Sequence, residues 1–213
     1  MIIDIIVQAR LGSTRLPGKV LMPIMGRPMI EYTIESLQRS RRNLIVVIPR
    51  ADKALARALR SPSFPCLLGS EKDVASRFVE AVERYSPDAF VRICGDSPLI
   101  DWRLVNSMAE TMQETRADIV SNVGGGFPHG QQIEIINTEF FLACRDRLDR
   151  EHVTSTLYDL TENKHMIFAK PPSIEPSLVV DTREDFDRVS RIIERADGRP
   201  WGFNWRELQG FCL

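Results

Sequence analysis

Apolar residues gather in short, nearly unbroken runs separated by stretches of helical spacing. The first run covers residues 2–9 and carries Asp4, and a second, NLIVVIP, covers 43–49. Runs of this kind read as parallel strands covered on both faces. Between and after them Met29, Ile30, Ile34 and Leu37 recur at helical spacing, and a second helix is predicted over 52–60. A short strand over 66–68 precedes an amphipathic helix over 73–85, with Val74, Phe78, Ala81 and Val82 on one face. A strand over 89–94 ends at Gly95 and Asp96, followed by a helix over 104–115 and a strand over 118–121.

The rhythm then changes. Gly124 to Gly126 form a turn, 132–136 alternates like an antiparallel or edge strand, and a helix starts after Asn137. Strands over 165–170 and 178–180 and a helix over 184–195 complete the pattern. Alternating strands and helices predict an α/β fold, a Rossmann-like and mostly parallel sheet flanked by helices. No repeat or long linker divides the chain. It reads as a single domain, 1–213, with a small inserted antiparallel sub-region at about 124–170.

Composition narrows the function classes. With 43% hydrophobic and 27% charged residues the chain is of ordinary globular type. A net charge of -1 argues against a nucleic-acid partner, which needs a basic face. No apolar run is long enough to span a bilayer, and the N-terminus shows no signal-peptide pattern, so no membrane insertion and a cytoplasmic location are expected. Cys66, Cys94, Cys144 and Cys212 are scattered, with no CxxC pair, which reads as reduced thiols.

Candidate chemistry concentrates after the first strand, where open α/β sheets bind ligands. The loop reads Gln8-Ala9-Arg10-Leu11-Gly12-Ser13-Thr14-Arg15-Leu16-Pro17-Gly18-Lys19. It lacks the GxGxxG dinucleotide fingerprint. It also fails as a Walker A loop, because its spacing is too long and Val20 stands where a Mg²⁺-binding hydroxyl belongs. Small residues at Gly12 and Ser13 let backbone N–H groups approach an anion, and Arg10, Arg15 and Lys19 suit a polyphosphate. The plain alternative is a solvated surface loop.

This loop resembles the N-terminal signature of the cytidylyltransferases that make CMP-activated acidic sugars, the acylneuraminate and CMP-Kdo synthetases. It is most similar to their spore coat polysaccharide biosynthesis protein F branch. The segments Gly69-Ser70-Glu71-Lys72-Asp73-Val74, Gly95-Asp96-Ser97-Pro98, Arg150-Glu151-His152-Val153-Thr154 and Val180-Asp181-Thr182-Arg183 resemble that branch in the same order. The resemblance implies a GT-A-like nucleotidyltransferase fold, CTP as donor, a sugar-type acceptor, Mg²⁺ and a homodimer. It also implies nucleotide contacts at Gln8, Ala9, Arg10, Gly12, Ser13, Arg15, Lys19, Ser70, Asp73 and Gly95. Acceptor contacts are implied at Gln132, Glu134, Arg150 and His152. Where the branch usually shows Asp-Gly-Leu-Asp-Val-Glu, this chain has His129-Gly130-Gln131-Gln132-Ile133-Glu134, so the acceptor is the part of the reading that departs.

Asp96 follows a strand and a glycine, and Asp181 follows the run 178–180, so both are expected at strand carboxyl ends. Two such carboxylates can converge on one hard cation whose octahedron phosphate and water complete. Each alone could instead cap a helix, and Asp73 reads as a cap. Lys19, Arg15, Asp96 and Asp181 are thus the expected catalytic set, with Lys19 on a loop outside the core. Rival readings are a nucleotidyltransferase using another NTP with a sugar phosphate, and a non-catalytic nucleotide-binding homologue. A GT-A glycosyltransferase would need a DxD acidic pair, which Gly95-Asp96-Ser97-Pro98 does not supply.

Overall fold

The computed structural model describes residues 1–170 and 177–211. Cys212, expected to be a reduced thiol, lies outside the described residues. The apolar runs become β1 (Ile3–Gln8) and β4 (Leu44–Pro49), with β5 (Cys66–Gly69) and β6 (Ala89–Cys94) beside them. A small hairpin of β2 (Pro23–Ile24) and β3 (Arg27–Pro28) precedes α1 (Met29–Gln38). The remaining strands are β7 (Ile119–Ser121), β8 (Glu134–Asn137) and β9 (Lys164–Met166). They form one seven-stranded sheet in the order β5-β4-β1-β6-β8-β7-β9. β8 alone runs antiparallel to its neighbours, pairing Arg92 with Glu134 and Ser121 with Glu134. The expected antiparallel element is β8, which joins the main sheet between β6 and β7.

Residue alternation on the strands fills two layers. Ile3, Ile5 and Val7 face the core beneath α1, α4 (Trp102–Thr115) and α6 (Arg183–Arg195). Ile6, Ile45 and Val47 face the other side, packed by Phe78 of α3 (Val74–Tyr85) and Phe141 of α5 (Thr138–Ala143). There Phe90 bridges Phe78 and Phe141, with ring centroids 5.8 and 4.9 Å apart. Aromatic pairs at such spacings contribute beyond the area they bury. Two further helices, α2 (Lys53–Ala58) and α7 (Trp205–Gly210), lie at the periphery.

The elements that carry the site are fixed by short-range chemistry. Asp73 caps α3, its Oδ1 accepting from Ser76 N–H at 2.8 Å. Asp101 caps α4, and Thr182 caps α6 in a reciprocal box with Asp185. Neither Asp96 nor Asp181 is a helix cap.

The run 178–180 is not a strand. Leu178 and Val180 are buried as their alternation predicts, but their N–H groups donate to His129 O at 2.7 Å and Asp96 O at 3.0 Å, which are loop carbonyls. Gly130 makes that contact feasible. Its φ is +95°, and a Cβ there would lie 2.5 Å from the Leu178 carbonyl carbon.

Candidate active site

The loop after β1 is built by its own polar groups. Leu11 N–H donates to Asp52 Oδ2 at 2.7 Å, and both Ser13 and Gly18 N–H donate to Leu11 O at 2.9 Å. The Ser13 amide is thus already used within the protein, whereas those of Thr14 and Arg15 have no partner among the described residues. Gly18 turns the chain at φ 72° into a 3-10 turn, Lys19–Leu21, that brings Lys19 inward. Lys19 is only 7% exposed, so it does not stand on a loop outside the core. The chain closes over it from the Asp96 and Val180 sides.

Its ammonium donates to Asp96 Oδ2 at 2.6 Å, to the Val180 carbonyl at 2.6 Å and to Asp181 Oδ1 at 3.0 Å. The two carboxylates therefore converge on a single cation, although only Asp96 follows a strand. Arg15 reaches the other oxygen of Asp181 at 2.9 Å. Asp185 steadies the approach by accepting from the Asp181 and Thr182 amides at 3.0 and 2.9 Å.

Two cavities meet at this cluster. One, of about 230 Å³, is lined by Gln8, Ala9, Arg10, Ser13, Arg15, Lys19, Val74, Arg77 and Gly95. Arg10 pairs with Glu151 at 3.1 Å across its mouth. The second, of about 590 Å³, is lined by Gln132, Glu134 and His152 with Arg92, Thr154 and Tyr158. Cys94, Asp96 and Asp181 belong to the walls of both. Gly12, Ser70, Asp73 and Arg150 line neither. Ser70 Oγ accepts from Asp73 N–H, and the Arg150 carbonyl accepts from Val74 N–H at 2.7 Å while its side chain is 85% exposed.

The larger cavity rests on a charge pair that residue spacing did not single out. Arg92 Nη1 donates to Glu134 Oε2 at 2.6 Å, and Glu134 also accepts from Thr154 Oγ1 at 3.0 Å and Tyr158 OH at 2.7 Å. Burial opposes the Arg92 charge, but Cys94 and Glu134 outweigh it and its pKa is raised. Burial, then Glu134, pushes the Tyr158 phenol well above its usual range, so it stays a donor. Burial also lifts the Cys94 thiol to about 11, which keeps it un-ionised between the cavities. Arg92 was visible in the sequence as the one charge inside the run 89–94. Arg77 was visible as a cation on the apolar face of the 73–85 helix.

A mostly parallel sheet with a cationic loop at its carboxyl edge, and a carboxylate pair between two cavities, places the site where open α/β sheets bind ligands and has the layout of a nucleotidyltransferase. The sequence agrees, because a family profile described as Cytidylyltransferase matches residues 5–170. The chain belongs to the cytidylyltransferase family. Spore coat polysaccharide biosynthesis protein SpsF of Bacillus subtilis is 28% identical over 213 residues, spanning 92% of this chain and 88% of that protein. A 3-deoxy-manno-octulosonate cytidylyltransferase of Anaeromyxobacter dehalogenans is 31% identical over 113 residues, 52% of this chain and 47% of that one. The solved structure of a cytidylyltransferase from Leptospira borgpetersenii superposes with a TM-score of 0.88 at 26% identity, covering 99% of this chain and 93% of that one. Among the described residues no helix is long and apolar enough to cross a membrane.

Proposed function

We propose that this cytidylyltransferase moves CMP from CTP to a sugar acid, releasing pyrophosphate, with Mg²⁺ as cofactor. The observation that carries the proposal is the shared wall, since Asp96 and Asp181 border both the cation-lined cavity and the hydroxyl-rich one. A donor phosphate in the first and an acceptor oxygen in the second would meet beside them. The relative named for 3-deoxy-manno-octulosonate supports a sugar acid, and the relative named for spore coat polysaccharide supports a place in surface polysaccharide synthesis.

The donor set suits a divalent ion. Two carboxylates and a carbonyl gather around the Lys19 ammonium, and of these Asp96 and Asp181 would hold the ion. Mg²⁺ is commonly held by one or two carboxylates plus substrate phosphates, and Asp96 and Asp181 would supply the two. Bound there, the ion would supply charge neutralisation at the phosphate oxygens. Arg15, Lys19 and the free loop amides would hold the triphosphate and offset charge on the departing pyrophosphate. Gln132, Glu134, Thr154 and His152 would orient the acceptor. The acceptor oxygen bonds to the α-phosphorus as the α–β phosphoanhydride breaks, and the hydroxyl proton is released. A cytoplasmic location is proposed with the nucleotide supply.

Pyrophosphate release tests this directly, with each NTP set against a panel of sugar acids and sugar phosphates. CTP with a sugar acid and Mg²⁺ should turn over fastest. Equal rates with all four NTPs would remove the cytidylyl reading, and turnover of sugar phosphates alone would remove the sugar acid.

A further inference from the structure

Each of the three cations in the loop after β1 rests on a carboxylate. Lys19 donates to Asp96 and Asp181, and Arg15 pairs with Asp181, carboxylates that already have a role at the ion. Arg10 is held by Glu151, 141 positions along the chain, and Glu151 has no part in the chemistry above. Arg10 and Glu151 both line the smaller cavity. Their side chains are 49% and 61% exposed, and an ion pair so open to water contributes little, so a stronger anion can displace the carboxylate.

The segment that carries Glu151 is tied down, while its side chain is not. Asp149 Oδ1 accepts from the Glu151 and His152 amides at 2.9 and 2.6 Å, and the Arg150 carbonyl accepts from Val74 N–H, in the first turn of α3, at 2.7 Å. Among the described residues the Glu151 carboxylate has no hydrogen-bond donor besides Arg10, so only that contact must break for it to turn to solvent. The cavity has a use for an anion at this point. Burial lowers the Arg77 pKa and Arg10 lowers it further, so two guanidiniums of one cavity oppose each other. A carboxylate on Arg10 offsets that repulsion, but through a single bond, Nη2 to Oε1 at 3.1 Å. A phosphate carries comparable or greater charge and can accept two parallel N–H bonds from the guanidinium fork.

We propose that Glu151 stands in for phosphate at Arg10 in the unliganded protein, gives the guanidinium up to the phosphates of an incoming donor, and takes it back as pyrophosphate leaves. The inference rests on phosphates occupying this cavity, as in the function proposed above. Glu151 is then a competitor built into the chain, and its charge weakens every phosphate ligand that uses Arg10.

The experiment is calorimetric titration with CTP and with inorganic pyrophosphate, in MgCl₂, of wild type, Glu151→Gln, Arg10→Gln and the double variant. Both side chains are exposed, so the variants should fold as wild type does. Pyrophosphate carries no base, so its arm reads the exchange apart from the choice of nucleotide. Glu151→Gln removes the charge and keeps the shape, and should bind both ligands about 2–5-fold tighter, the worth of an exposed ion pair. Arg10→Gln should bind both more weakly. Adding Glu151→Gln to Arg10→Gln should leave each affinity within about 1.5-fold, because the pair no longer exists to be broken. Unchanged or weaker binding by Glu151→Gln overturns the proposal. So does a gain that persists without Arg10, which would be plain repulsion between Glu151 and phosphate. A wild-type protein that binds neither ligand overturns the placement of phosphates in this cavity, and this inference with it.

Discussion

Removing the Lys19 side chain leaves Asp96 and Asp181 facing each other with Arg15 as the remaining cation, and strands the Val180 carbonyl. Lys19→Ala should therefore lower ligand-free stability by about 1.5–3 kcal/mol, the range for hydrogen bonds to charged groups. Turnover should fall roughly 10²–10³-fold. Thermal denaturation with and without MgCl₂ separates charge balance from packing, because Mg²⁺ should stabilise Lys19→Ala more than wild type. Asp96→Asn and Asp181→Asn should each cut turnover by roughly 10²-fold or more. The double variant should be little worse than either, since both serve one unit. Independent, multiplying effects in steady-state kinetics would separate the two carboxylates. The Arg92–Glu134 pair makes a second residue-scale case. Arg92→Leu alone should cost about 3–5 kcal/mol in urea denaturation by stranding Glu134, and Arg92→Leu with Glu134→Leu should recover much of that.

Secondary elements deliver these groups through their ends. β6 delivers Asp96, the 3-10 turn after Gly18 delivers Lys19, and the cap of α6 steadies Asp181. The segment before Asp181 is held by loop carbonyls, which makes Gly130 a sensitive point. Gly130→Ala would need a left-handed backbone and a Cβ inside the Leu178 peptide, so it should cost more than about 1 kcal/mol. Because Asp181 follows the displaced segment, turnover should fall as well. Gly12→Ala is the matched control, since its Cβ would meet nothing within 4 Å, and its stability should change by less than about 0.5 kcal/mol. Melting curves of the two variants side by side test the contrast; equal losses would remove the special role given to Gly130.

Across the whole molecule the sheet ends at β9, a three-residue edge strand followed closely by Phe168, which is 74% exposed. Short edges limit unwanted strand pairing, and Phe168 is the most exposed large hydrophobic side chain among the described residues. The homodimer implied by the family resemblance is proposed to form through this face. Sedimentation should give a dimer for wild type and a monomer for Phe168→Glu, with melting temperature little changed. A dimeric Phe168→Glu would move the interface elsewhere.

Strand and helix order was legible along the chain because burial alternates with a local period, which each short segment records in its own residues. The 89–94 strand, the α3 helix and the Asp73 cap needed no knowledge of distant neighbours. Asp181 and Lys19 were legible as chemistry, through the quoted family motifs, but not as geometry. Leu178, Val179 and Val180 alternate like a strand, yet the amides of Leu178 and Val180 find partners far along the chain, the carbonyls of His129 and Asp96. Lys19 reads locally as a loop cation, and it is buried because segments more than seventy positions away fold over it. Arg77 and Arg92 carried a visible signal, a charge at an apolar position, without saying what each would meet. Periodicity is a property of neighbours in sequence; partnership and dielectric are properties of neighbours in space.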